Sequence, residues 1–239
     1  MDENTATLAR PNLQAEQALE ASLVDHIEKR DFPCVGAKSA LARGSLRVEA
    51  ARSITSAWDD VRIHDLLLRW SWDYAEDSAK KDGGLRSFAL VFGGPDGLTE
   101  EQFEAATWER LQSLAAKDEW RGQKLDPKVS ADPDDPHFSL SFGGQGYFVV
   151  GMHPGASRAA RRTPHPTLVF NLHDQFETLR AENRYARMKE QILKRDERLD
   201  GSVNPMLSQH GQTSEARQYS GRQVGEDWRC PFSDPRAPS

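Results

Sequence analysis

Between positions 153 and 162 the chain reads His153-Pro154-Gly155-Ala156-Ser157-Arg158-Ala159-Ala160-Arg161-Arg162, one imidazole beside three arginines and no acid. A neutral imidazole ligates transition metals, and guanidinium forks take carboxylates in two-point contact. A cofactor that offers both an iron and carboxylates, haem b, would use the two together. A solvated basic loop has the same composition, so the segment alone does not decide between them.

Haem needs an axial donor, an apolar slot and something to hold its propionates. His153 ranks first as donor, because it ends an apolar strand-like run and is fixed by Pro154. His173 ranks second, at the junction of a strand-like and a helix-like stretch. Cys34 is the thiolate alternative: it precedes a short helical stretch whose amides would lower its pKa, and Gly36 would admit a flat cofactor. Arg158 and Arg161 are the candidate propionate clamp. Cys34 and Cys230 lie far apart and in no CxxC pair, which excludes dithiol and zinc-ribbon chemistry.

The elements that must position these residues follow from periodicity. Leu19, Leu23, Val24 and Ile27 recur at helical spacing, with Pro33 as a stop. A short helix over Ala37 to Ala42 and a strand over Ser45 to Ala51 come next. Asp59 to about Tyr74 reads as a largely buried helix whose apolar set is Val61, Leu66, Leu67, Trp70 and Tyr74. After a Lys80 to Gly84 turn, Arg86 to Phe92 is an apolar strand, and Thr99-Glu100-Glu101-Gln102 is a capping box opening a helix to about Ala116. Phe138 to Phe142 and Tyr147 to Met152 are strands joined by Gly143-Gly144-Gln145-Gly146, a hairpin turn rather than a nucleotide loop. A strand over Thr167 to Leu172 leads into one long charged helix from His173 to about Leu199, facing inward through Phe176, Leu179, Met188 and Ile192. The expected fold is α+β: a mostly antiparallel sheet layered with amphipathic helices. Three regions are expected, namely a disordered N-terminal segment (1–12), an α+β haem-binding domain (13–200) and an irregular tail (201–239). Trp228, Cys230 and Phe232 suggest that the end of the tail docks.

The 239 residues are 37% hydrophobic and 28% charged, with a formal net charge of -6. An acidic balance argues against nucleic-acid binding, so any anion site must be local. No apolar run reaches the length of a membrane span and the first twenty residues have no signal core, which leads to the expectation of a cytoplasmic protein.

Four ordered islands resemble the YqcI/YcgG family. They are Phe32-Pro33-Cys34-Val35-Gly36-Ala37-Lys38; His153-Pro154 with Ser157-Arg158 and Arg161; Leu168-Val169-Phe170-Asn171 with His173 and Gln175-Phe176-Glu177; and Ser214-Glu215 with Gln218-Tyr219-Ser220-Gly221. Trp228-Arg229-Cys230-Pro231-Phe232 resembles the closing motif. The resemblance implies a haem-dependent N-oxygenase, a monooxygenase acting on a basic amino acid or guanidino compound. Activities of that kind occur in guanitoxin and D-cycloserine pathways and in lysine N-oxygenation. Gln212 departs from the family pattern, which has an acid there, so no charge-dependent role is carried over to that position.

The implied reaction uses dioxygen with a reductant, or peroxide, and an external electron donor, because the chain shows no flavin or nicotinamide fingerprint. A cationic substrate needs an acid, and Glu177, Glu215 and Asp174 are those available in the resembling islands. Glu177 lies one helical turn after His173, although an ion pair with Arg180 explains it equally well. Tyr219 could donate a hydrogen bond to substrate or anchor the tail. The alternative is a non-catalytic haem-binding or gas-sensing protein, and a third reading is a cofactor-free structural protein.

Overall fold

The computed structural model describes residues 13–78, 85–206 and 213–237. The expectations for residues 1–12, the 80–84 turn and Gln212 fall outside the described residues. Five strands form one sheet: β1 (Leu46–Ala51), β2 (Ser87–Phe92), β3 (Leu140–Phe142), β4 (Gln145–Met152) and β5 (Thr167–Leu172). Their spatial order is β1-β2-β5-β4-β3, parallel between β1 and β2 and antiparallel elsewhere. The fold is α+β, as its mixture of hairpin and crossover links predicts. Strand β2 is buried at every position. Its Phe-Ala-Leu-Val-Phe run suits a strand covered on both faces rather than one.

Alternation sorts the strand residues into two faces. On the first, helices α1 (Leu13–Glu28) and α2 (Val35–Ala42) pack with Leu23, Ile27 and Phe32 over Ala89 and Val91. On the second, Phe88, Leu90, Phe142, Tyr147 and Phe170 join a larger core with α3 (Asp60–Ser78) and α4 (Glu100–Trp120). The capping box forms as read, Thr99 Oγ1 accepting from the Gln102 amide at 3.2 Å and Gln102 Oε1 from the Thr99 amide at 3.0 Å. A buried ion pair, Arg110 to Asp60 at 2.8 Å, and a buried hydrogen bond, His64 Nε2 to Asp118 at 2.7 Å, fasten α3 and α4.

Residues 213–237 hold only the short helix α7 (Ala216–Tyr219) and otherwise run irregularly over α4. They dock as expected, with Phe232 buried and Trp228 and Cys230 packed against the larger core. Trp228 Nε1 donates to Glu104 at 2.6 Å, and Arg236 bonds both Asp118 and, at 2.8 Å, the Ser141 carbonyl.

Several elements differ from expectation. The hairpin turn is Gly143-Gly144 alone, both at positive φ (58° and 75°), and Gln145 and Gly146 belong to β4. The two-residue turn explains this, since adjacent left-handed residues match the twist of the strands they join. The single long helix is two, α5 (His173–Ala181) and α6 (Tyr185–Asp200), broken at Asn183, whose φ of 56° ends the first. Val61 is 57% exposed, so α3 is not buried along its whole apolar set. No helix among the described residues is long and apolar enough to cross a membrane.

Candidate cofactor cavity

A cavity of about 320 Å³ lies between the first face of the sheet and helices α1, α2, α5 and α6. Its floor follows from strand register. Ala89, Val169 and Val150 sit side by side on β2, β5 and β4, and the next row along is Ser87, Asn171 and Phe148. The middle row is therefore flat and apolar, while the outer row offers one polar pair, Ser87 Oγ donating to Asn171 Oδ1 at 2.7 Å. Helix α6 forms the roof with Tyr185, Met188, Lys189, Ile192, Leu193 and Asp196. That spacing is one stripe of an amphipathic helix.

Cys34 stands at the edge of the floor as the N-cap of α2, its sulfur accepting from the Ala37 amide at 3.4 Å. Burial pushes the thiol pKa up, against the opposing pull of the Ala37 and Gly36 amides and of Arg161 and Arg195. Without a metal the thiol is therefore neutral at pH 7; coordination would deprotonate it. Gly36 lies beside it. A Cβ there would meet Leu85 Cδ1 at 3.0 Å, Cys34 Sγ at 3.8 Å and Met188 Sδ at 3.9 Å, so glycine leaves the wall open between two sulfurs.

Arg158 and Arg161 both reach the cavity. Arg158 is already paired, to Asp196 at 2.8 Å and Asp200 at 3.5 Å. Among the described residues Arg161 hydrogen-bonds to two neutral carbonyls, Gly151 at 2.9 Å and Gln218 at 3.2 Å, and Asp196 acts on it at longer range. Desolvation lowers its pKa to about 10, which leaves it charged at neutral pH. Glu215 is on the wall too, its Oε2 accepting from Ser139 Oγ at 3.0 Å.

The cavity thus brings together Cys34, Arg158, Arg161 and Glu215, and it does not include His153, His173, Glu177 or Tyr219. Met152 faces the cavity, and His153 turns to the opposite side of the sheet. There its ring stacks on Phe103 at 4.3 Å between centroids, 2% exposed. Burial lowers the His153 pKa, with Glu100 opposing, and keeps the ring neutral. His173 is buried at the start of α5, where a Cβ built on Gly146 would meet its Cβ at 3.3 Å, and it does not line the cavity. Glu177 is half-exposed and pairs with Arg180. Tyr219 is fully buried, donates to the Tyr147 carbonyl at 3.0 Å and stacks on Trp108, so it anchors the tail.

A family model described as the YqcI/YcgG family matches residues 23–233. The chain belongs to the YqcI/YcgG family. A search of curated proteins returned no match, nor did a search of solved structures. The YqcI/YcgG islands quoted from the sequence meet at the cavity: Phe32, Pro33, Cys34, Gly36 and Ala37 from the first, Arg158 and Arg161 from the second, Val169, Asn171 and Phe176 from the third, Glu215 and Gln218 from the fourth.

The residues fit a flat anionic cofactor: a thiol at a helix N-terminus, an apolar floor, a glycine gap and a guanidinium with no carboxylate within ion-pair distance among the described residues. Among the described residues no three His, Cys, Asp or Glu side chains converge as a metal cluster, whereas a porphyrin needs only one or two protein donors. Among the polar wall residues without an assigned role in the sequence are Ser87, Asn171 and Lys189. Asn171 sits in a resembling island, and Lys189 follows Met188 on the inward stripe of α6. Those were the available signals.

Proposed function

We propose that this cavity holds haem b and that the protein is a haem-dependent N-oxygenase of a basic amino acid or guanidino compound. The observation that carries the reading is the meeting of all four family islands around one apolar cavity, at whose edge a cysteine thiol caps a helix. Family membership supports the class of reaction.

When bound, haem supplies the dioxygen and one-electron chemistry that side chains lack. The chain's own tasks are to grip, orient and exclude water. Cys34 would hold the iron as a thiolate, in place of His153, and the Gly36 gap would admit the ring edge. Arg161 would neutralise an anionic group at the Met152 end of the floor. Glu215 would hold the cationic end of the substrate, and the Ser87–Asn171 pair would orient its nitrogen through hydrogen bonds. Helix α6 would close the roof and keep bulk water out. Electrons come from an external donor, and we read the site of action as the cytoplasm.

The test is reconstitution with haem, a reductant and dioxygen, assayed on arginine, lysine and guanidino compounds by mass spectrometry. The expected product is heavier by one oxygen. A preparation that takes up haem but forms no product would make this a haem-binding protein without turnover, and one that takes up none would end the reading.

A further inference from the structure

The cavity wall carries four cations, Arg158, Arg161, Arg180 and Lys189, against two acids, Asp196 and Glu215, in a chain whose formal net charge is -6. Two of the cations are already answered. Arg158 is held by Asp196 and Asp200 and by the Ser202 carbonyl at 2.7 Å. Arg180 pairs with Glu177 and lies over the Tyr185 ring, 4.7 Å from its centroid.

Arg161 and Lys189 are different. No described carboxylate lies within ion-pair distance of Arg161; Asp196 acts on it only at longer range and is already shared with Arg158, and its hydrogen-bond partners are the two carbonyls named above. Its stem is clamped as well: a Cβ on Gly221, at φ 84°, would meet Arg161 Cγ at 3.3 Å and Cδ at 3.4 Å. Lys189 is half-buried on the α6 stripe, and no described residue pairs with it. A desolvated guanidinium satisfied only by neutral acceptors is costly, and a carboxylate placed against it offsets that cost. The clamped stem means that little freedom is lost when one arrives.

We infer, building on the porphyrin reading of the cavity, that Arg161 and Lys189 grip the two carboxylates of the bound ligand, one from the fixed body and one from the roof helix. Arg158 has a separate task, tying α6 to the segment after β4. The ligand class is a flat apolar body with two carboxylates. Met188, Ile192 and Leu193, on the same stripe as Lys189, meet its apolar surface.

The experiment uses the metal-free ring, so that iron ligation plays no part. Protein free of haem is titrated with protoporphyrin IX and with its dimethyl ester, followed by porphyrin fluorescence. Wild-type protein should prefer the diacid by at least tenfold. Arg161→Met and Lys189→Met should each weaken diacid binding by about tenfold and leave the ester unchanged, the scale of one charge-assisted contact. Arg158→Lys, which keeps a cation opposite Asp196 and so keeps α6 in place, should retain the preference. If both Arg161→Met and Lys189→Met retain the full preference, the clamp is wrong although the porphyrin site stands. If wild-type protein binds neither ring, the porphyrin reading itself fails. Should Arg161→Met not fold, Lys189→Met decides alone, and an undiminished preference overturns the inference.

Discussion

Arg158 Nη2 meets Asp196 Oδ2 at 2.8 Å and thereby ties helix α6 to the segment that follows β4. Both side chains are nearly out of solvent, and Asp200 accepts from the amides of Ala159 at 2.6 Å and Ala160 at 3.3 Å to complete the joint. The far end of α6 turns at Asn183 and carries no comparable fastening among the described residues.

Arg158→Met should therefore leave Asp196 buried without its partner, a loss on the order of 3–5 kcal/mol for a pair of this kind. Chemical denaturation measures the total. Limited proteolysis should show new cleavage within 185–204, and protection equal to wild type there would contradict the joint.

His153→Ala should cost about 2–4 kcal/mol through the emptied space against Phe103. Haem uptake and its absorption spectrum should be unchanged, because the ring lies on the other face of the sheet. Cys34→Ala should do the reverse, altering the ferrous-carbonyl spectrum while stability moves little. A spectrum lost in His153→Ala at unchanged stability would return the ligand to the imidazole.

The His153 ring also makes a pH prediction. Burial holds its folded pKa below the ordinary 6.5 of a free imidazole, so the unfolded chain binds the proton first as pH falls. The stability contribution is present above pH 6.5 and declines as pH drops from there toward the folded value. His153→Phe keeps the stack and removes the titration. The urea midpoint should fall less between pH 7.5 and 5.5 in His153→Phe than in wild type; equal falls would exclude a neutral buried ring.

Tyr219→Phe removes the donor to the buried Tyr147 carbonyl and should cost about 1–3 kcal/mol. Turnover per folded molecule should persist, since the hydroxyl faces the core and not the cavity. Loss of turnover at unchanged thermal stability would assign the phenol a chemical role instead.

Asn183→Ala places an ordinary side chain at φ 56° and should cost about 1–2 kcal/mol. Asn183→Gly should be close to neutral. If alanine were as well tolerated as glycine, the break between α5 and α6 would not depend on this residue.

The sequence made the sheet legible because its strands are short apolar runs bounded by glycine and proline; it made Cys34 legible because a cysteine precedes a helix start, and Arg161 because it belongs to a cluster of arginines without an acid. It misplaced His153 for a reason of parity. A strand alternates, so a residue adjacent to the cavity-facing Met152 faces away from it, and that could be known only once the cavity side had been fixed. The break at Asn183 left a trace in the spacing: Leu179 and Met188 are nine residues apart, which at about 100° per residue would put them on opposite faces of one continuous helix, so Phe176 and Leu179 share a face with Met188 and Ile192 only if the helix is broken between them. Lys189 went unremarked because a lysine on a charged helix signals solvent until a void is found beneath it.

The walls of the cavity are drawn from both halves of the polypeptide, Leu23 to Ala37 on one side and Thr213 to Gln218 on the other, while Arg236 secures the later segment on Asp118. A nascent chain emerging from the ribosome could assemble the sheet yet would lack part of its vessel until residue 236 had cleared the exit tunnel. Any group held there would meet a finished wall only once the segment from Thr213 to Gln218 had joined the body.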